Sequence, residues 1–185
     1  MSETIKPLAG LRVLELGQLL AGPFAAALLA YFGAEVIKVE PPEGDPIRGW
    51  RQLDEGGTSY WWRSLGRNKK CVTIDLKTAE GRSLVRRLAD TADVLIENFR
   101  PGGMENWGLG PQDLAATNPK LVYARISGYG QTGPYSARPG YGAICEAMAG
   151  VRHLTGDPDR PPARVALATS PASTDWGPIS IPFSS

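Results

Sequence analysis

Short apolar runs alternate with longer amphipathic ones along most of this chain. Leu11 to Leu16 (L-R-V-L-E-L) predicts a strand, and Pro23 to Phe32 predicts a helix whose first turn carries a proline, a tolerated position. Glu35 to Glu40 (E-V-I-K-V-E) returns as a strand. These three form a βαβ unit of about thirty residues, enough for a right-handed parallel crossover. The pattern then repeats, with Cys71 to Leu76 as third strand, Thr78 to Ala89 as second helix and Val94 to Asn98 as fourth strand. Leu109 to Ala116 reads as a short helix ended by Asn118-Pro119, Leu121 to Ser127 as the fifth strand, and Gly142 to Gly150 as a further helix. The expected fold class is α/β, a Rossmann-like doubly wound parallel sheet whose ligand crevice lies beyond the carboxyl ends of its strands.

Pro41 to Arg67, rich in Gly, Pro, Trp and charge, lacks a sustained period and reads as a long excursion over that edge. Leu19 to Gly22, Asp75 to Lys77, Asn98 to Gly103 and Gly128 to Tyr141 also follow strands, so the unusual loops are expected on one edge. There is no internal repeat and no low-complexity segment.

Composition narrows the function classes. With 20 basic against 19 acidic residues, a net charge of +1 supplies no general field for nucleic acid or an anionic membrane, so an anionic small molecule would be held by local groups. The longest apolar stretch, Leu19 to Phe32, is broken by Gly22 and Pro23 and is too short to span a bilayer. Met1 to Pro7 has no basic start, apolar middle and cleavage site of a secretory signal. Cys71 and Cys145 lie far apart in no metal-ligand spacing, and both are expected to be buried, reduced thiols. A soluble, cytoplasmic protein is the expectation.

Among candidate sites, the loop from Arg125 to Tyr141 combines Gly128, Gly130, Gly133 and Gly140 with Tyr129, Tyr135 and Tyr141. Small residues let backbone amides approach a ligand and the rings supply flat walls, although turn chemistry alone also selects Gly and Pro. Gln18-Leu-Leu-Ala-Gly-Pro23 is not the G-x-G-x-x-G of a dinucleotide site, yet the helix amino end behind it remains available to an anion. Arg67-Asn68-Lys69-Lys70 fits either a phosphate contact or a solvated basic turn. Asn98-Phe99-Arg100-Pro101-Gly102 joins an amide, a ring and a cation, suited to an adenine ring or a pantetheine amide, or else is a plain strand-to-helix turn. His153 is the single histidine and reads as a surface or satisfied group. Without a second histidine, a G-x-S-x-G elbow, a Walker A loop or an H-E-x-x-H pair, triad hydrolysis, phosphoryl transfer and metal hydrolysis fall away.

Seven segments in order carry a resemblance. They are P-L-A-G-L-R-V-L-E-L, L-A-G-P, F-G-A-E-V-I-K-V-E-P-P, N-K-K-C-V-T-I-D-L-K, A-D-V-L-I-E-N-F-R-P-G, I-S-G-Y-G-Q-T-G-P and R-P-G-Y. Together they resemble the class III CoA-transferases, the CaiB/BaiF family that includes formyl-CoA:oxalate and succinyl-CoA transferases. The resemblance implies that residues 7 to 165 form a coenzyme A-binding, Rossmann-like unit, the incomplete large domain of the family fold, followed by a divergent tail from 166 to 185. It implies transfer of CoA between an acyl-CoA and a small carboxylic or dicarboxylic acid, with no metal or redox cofactor, in an interlocked ring-shaped homodimer. An aspartate carboxylate attacks the thioester in this family, and glycine-rich loops shield the aspartyl intermediates from water. By position, the implied CoA contacts are Leu20, Ala21, Ile74, Asp75, Lys77, Asn98, Phe99, Arg100 and Tyr141. Pro41 stands where some members carry an arginine. The related racemases carry a histidine in a G-H-D sequence, where this chain reads Gly140-Tyr141-Gly142, which favours transferase over racemase.

The family's nucleophile follows an R-V-G stretch in a G-D pair. Here Arg164-Val-Ala-Leu-Ala-Thr-Ser-Pro-Ala-Ser-Thr-Asp175 puts Pro171 at that position, with Asp175 the nearest acid, and no catalytic residue is assigned. A truncated or frameshifted product is expected, with sheet surface exposed where the remainder of the family fold would cover it. The alternative to a transferase is a silent fragment that binds CoA or a full-length partner.

Overall fold

The computed structural model describes residues 6–155 and 159–161. Five strands form one sheet: β1 (Arg12–Glu15), β2 (Glu35–Glu40), β3 (Lys69–Thr73), β4 (Val94–Glu97) and β5 (Val122–Arg125). All pairings are parallel, in the order β3-β2-β1-β4-β5. Val13 lies beside Val36 on one side and Val94 on the other. The order reverses at β1, so the first two crossovers wind toward β3 and the later ones toward β5. This is the expected α/β sheet.

Side-chain alternation along the strands separates two cores. On one face Val13, Val36 and Ile96 pack with Ala26, Ala30 and Ala34. Ala26 and Ala30 belong to α1 (Ala21–Tyr31), whose small residues let the helix sit close to the sheet, and Pro23 falls in its first turn as expected. On the other face Leu14, Leu16, Val39, Leu95 and Tyr123 meet α3 (Ala79–Ala89), α4 (Gly103–Asn106) and α5 (Pro111–Ala115) through Val85, Ala89, Met104 and Leu114. Helix α3 starts where the sequence places it, because Thr78 caps it by accepting a hydrogen bond from Gly81 N at 3.0 Å.

Tyr123 is 2% exposed, and its hydroxyl donates to Leu109 O at 2.8 Å. Tyr123→Phe leaves that carbonyl without its donor. The expected cost is about 1–3 kcal/mol, read as a lower urea midpoint at unchanged m-value.

Several expectations are corrected. The third strand runs two residues earlier than Cys71 to Leu76, since Lys69 and Lys70 pair with Val36 and Ile37. The Lys69 side chain is wholly buried on a carboxylate, so a strand position that reads as polar faces inward. The Pro41 to Arg67 excursion is not structureless. It holds a 3₁₀ turn at Pro46–Gly49, started by Asp45 Oδ1 accepting from Ile47 N, and α2 (Tyr60–Leu65), started by Ser59 accepting from Trp61 N. The four-residue α4 is too short to leave a periodic signal. Cys71 is exposed on the edge strand β3 and Cys145 is half-buried on α6 (Gly142–Met148), so neither is the buried thiol expected. As an edge strand β3 pairs on one side only, and Cys71, Val72 and Thr73 are exposed. Among the described residues no helix is long and apolar enough to cross a membrane.

Candidate active site at the switch point

Because β1 and β4 are neighbours whose chains leave in opposite directions, a cleft opens between their carboxyl ends. The turn after β1 forms one wall. Gly17 and Gly22 are so close that a methyl on either would crowd the other's Cα, and Asn98 fills the space beside both. Asn98 Oδ1 accepts from Gln18 N at 2.7 Å and Asn98 Nδ2 donates to Gln18 O at 2.9 Å. Its amide is therefore spent on the turn rather than presented to a ligand. Asn98→Ala removes both bonds, with an expected loss of about 1–3 kcal/mol. Asn98→Asp keeps the acceptor and should lose less; urea midpoints of the two variants check this.

The cleft has a volume of about 510 Å³ and brings together Leu20, Ala21, Asn98, Phe99, Arg100 and Tyr141 of the sequence-derived contacts. Ile74, Asp75 and Lys77 line a smaller cleft of about 110 Å³ at the ends of β2 and β3. Gln18 and Phe99 border both, so the two are adjacent parts of one edge. Phe99 is held by Trp107, edge to face at 5.3 Å, and by its own N–H, which donates to Glu97 Oε2 at 2.7 Å. Asp75 uses Oδ1 to accept from Lys77 N at 2.9 Å, making the turn before α3.

Glu97 is 1% exposed. Burial pushes its carboxyl above the ordinary range, against the opposing pull of Phe99 N–H and Arg125. Arg125 Nε pairs with Glu97 at 3.1 Å and its Nη1 with Glu105 at 2.8 Å, joining β5, β4 and α4 beneath the cleft.

The far wall is the glycine-rich loop. A methyl on Gly128 or Gly140 would overlap the other's Cα, so these glycines let the loop close on itself at its base. Gly130 and Gly133 take positive φ. Tyr129 and Tyr135 pack edge to face at 5.7 Å, and the Arg138 guanidinium lies 4.4 Å from the Tyr135 ring. Tyr141, exposed, opens α6.

The cleft also contains residues the sequence did not single out as contacts. Trp50 and Arg51 come from the excursion, with the Arg51 guanidinium 4.5 Å from the Trp50 ring, and Arg138 comes from the loop. Among the described residues, Arg51, Arg100 and Arg138 have no carboxylate partner. The cations of the basic turn at Arg67 to Lys70, by contrast, have partners within the protein. Lys69 Nζ bonds Pro23 O at 2.6 Å, Lys70 pairs with Glu35 at 2.5 Å and Arg67 donates to Arg63 O at 3.1 Å. His153 is exposed and lines neither cleft. Arg164, Pro171 and Asp175 lie outside the described residues. Among the described residues no His, Cys, Asp and Glu cluster is arranged to hold a metal.

Comparison with known proteins shows the family. The succinyl-CoA:D-citramalate CoA-transferase of Chloroflexus aurantiacus is 57% identical over 164 residues, covering 88% of this chain and 41% of that protein. Human succinyl-CoA:glutarate CoA-transferase is 42% identical over 171 residues, covering 92% and 39%. The crystal structure of a CaiB/BaiF family protein from Brucella suis superposes with a TM-score of 0.85 at 45% identity, covering 90% of this chain and 45% of that one. The chain thus spans about two-fifths of the length of the curated relatives it matches. The model of CoA-transferase family III matches residues 8–174, and the chain belongs to that family.

Proposed function

We propose that this chain is the coenzyme A-binding portion of a CoA-transferase that moves CoA between an acyl-CoA and a small dicarboxylic acid. The observation that carries this reading is the continuous edge formed by the two clefts, into which Arg51, Arg100 and Arg138 bring positive charge that no described carboxylate neutralises. A long, phosphate-bearing ligand fits such an edge, since guanidinium groups pair with phosphate and carboxylate oxygens. Transfer needs water kept from the reacting carbonyl, so the thioester end belongs beneath the loop from Gly128 to Tyr141. The nucleotide end then runs past Phe99 toward Ile74 and the exposed Lys77. Relatives named for succinyl-CoA with D-citramalate or glutarate support a dicarboxylic acceptor. Residues 7 to 165 form the binding unit in this reading, and the protein works in the cytoplasm as a homodimer.

In the reaction, an enzyme carboxylate attacks the thioester carbonyl, giving an acyl anhydride and CoA thiolate. The thiolate attacks the enzyme's own carbonyl, releasing the donor acid as its carboxylate and leaving an enzyme–CoA thioester. The acceptor carboxylate then reverses both steps to give the new acyl-CoA and the free enzyme carboxylate. Pro171 at the position of the family's aspartate favours a second reading, in which the chain binds CoA and transfers nothing. Calorimetric titration with CoA and exchange of labelled succinate with succinyl-CoA separate these. Salt-sensitive, saturable binding with exchange supports the transferase, and binding without exchange supports the second reading. An absence of saturable binding overturns both.

A further inference from the structure

Four ionisable side chains, Glu15, Lys38, Asp45 and Lys69, meet beneath the turn between β1 and α1, and none has any exposed side-chain surface. Lys38 Nζ donates to Glu15 Oε1 and Gly17 O and forms an ion pair with Asp45 Oδ2, each at 2.8 Å. Lys69 Nζ reaches Glu15 Oε2 at 2.7 Å and Pro23 O at 2.6 Å. Asp45 Oδ1 accepts from Leu19 N at 3.0 Å as well as from Ile47 N at 2.9 Å. Two cations face two carboxylates, so the set is neutral.

Neutrality within a core does not require charges, because apolar side chains of similar volume often stabilise as well or better. What this set does that an apolar one cannot is grip backbone. Gly17 O, Leu19 N and Pro23 O are bound to it, while Asn98 holds Gln18 from the other side. The gripped turn is strained, since Leu19 has φ 61, a region that leucine rarely occupies. Leu20 and Ala21, which line the cleft, follow directly.

We infer that Asp45 is a positioning residue, whose bond to Leu19 N holds the β1–α1 turn in the shape that shapes the CoA cleft. The excursion after β2 and the wall of the cleft are thereby one mechanical unit, joined through a carboxylate that lines neither cleft. The functional half of this inference rests on the CoA-binding reading above.

The test separates charge from hydrogen bonding. Asp45→Ala and Asp45→Asn both remove the negative charge facing Lys38, but only asparagine keeps an oxygen for Leu19 N–H. A purely structural charge role predicts equal behaviour. Positioning predicts that Asp45→Asn binds CoA within about threefold of the natural chain, whereas Asp45→Ala binds about tenfold or more weakly. Amide exchange at Leu19, measured without ligand, is expected to accelerate in Asp45→Ala alone, with the Val85 and Leu95 amides unaffected. Should either single variant fold poorly, the same pair is compared in a Lys38→Met background, where Glu15 and Lys69 remain balanced. Equal Leu19 exchange in the two variants overturns the inference. If the natural chain binds no CoA, the functional reading fails by itself, and the exchange contrast still decides the anchoring.

Discussion

Replacing Lys38 by methionine is expected to remove about 3–5 kcal/mol of folding stability, a large part of the roughly 5–15 kcal/mol that a domain possesses. The size follows from what is left behind. Glu15 and Asp45 have wholly buried side chains, and without the ammonium group a set of two cations and two carboxylates becomes one against two. Burial by itself would pull the Lys38 pKa down, but the Glu15 and Asp45 carboxylates more than reverse this and raise it above the ordinary lysine value. A folded-state pKa raised in this way contributes stability that is fully present below the ordinary lysine pKa. The contribution is lost as pH climbs through the raised value. Chemical denaturation at neutral pH should therefore show the full deficit in Lys38→Met. The difference from the natural chain should shrink only in strongly alkaline solution. Adding Asp45→Asn to Lys38→Met restores balance between Glu15 and Lys69 and should recover part of the loss. An unchanged midpoint for the single variant would mean that water reaches these groups.

The same four residues mark where sequence reading stops. Pattern exposes β1 and β2 because L-R-V-L-E-L and E-V-I-K-V-E are short, largely apolar runs on either side of a helix-length segment, and the carboxyl-edge position of the loops follows from strand direction alone. Phe99 and Arg100 were legible for that reason, since they leave β4 beside the switch point. Glu15 and Lys38 were equally visible as letters. Each is a charge at an inward-facing position of an adjacent strand, a signal that points to a buried pair once the register is known. Asp45 and Lys69 carry no such signal, because Asp45 lies in an excursion without period and meets Leu19, 26 residues away, while Lys69 reaches Glu15 from a strand that is not its neighbour in the sheet. Asn98 illustrates the same limit. Its amide reads as a ligand contact, yet it bonds Gln18, 80 residues distant. Arg51 hides in an excursion without period, where the turn at Asp45 and the capped helix at Ser59 fix its location.

Gly128→Ala should affect the site far more than the fold. Gly128 and Gly140 meet backbone to backbone, so the new methyl cannot be accommodated by rotating a neighbouring side chain. The base of the loop has to open. Overpacking of this kind costs about 1–3 kcal/mol. Neither glycine belongs to the two apolar clusters of the sheet, so the main unfolding transition should move by only a few degrees. The loop carries Tyr129, Tyr135 and Arg138 and leads into Tyr141, so opening its base displaces the whole far wall of the cleft. Misplacement by about 1 Å can cost on the order of a hundredfold in rate, and a loss of that order in the proposed CoA exchange is expected. Gly133→Ala is the control. Its φ of +92° makes alanine strained there, but no atom lies within 4 Å of the added methyl, so the base of the loop stays closed. Exchange should fall much less in Gly133→Ala than in Gly128→Ala. Equal losses would show that general loop strain, rather than the contact between Gly128 and Gly140, governs the site.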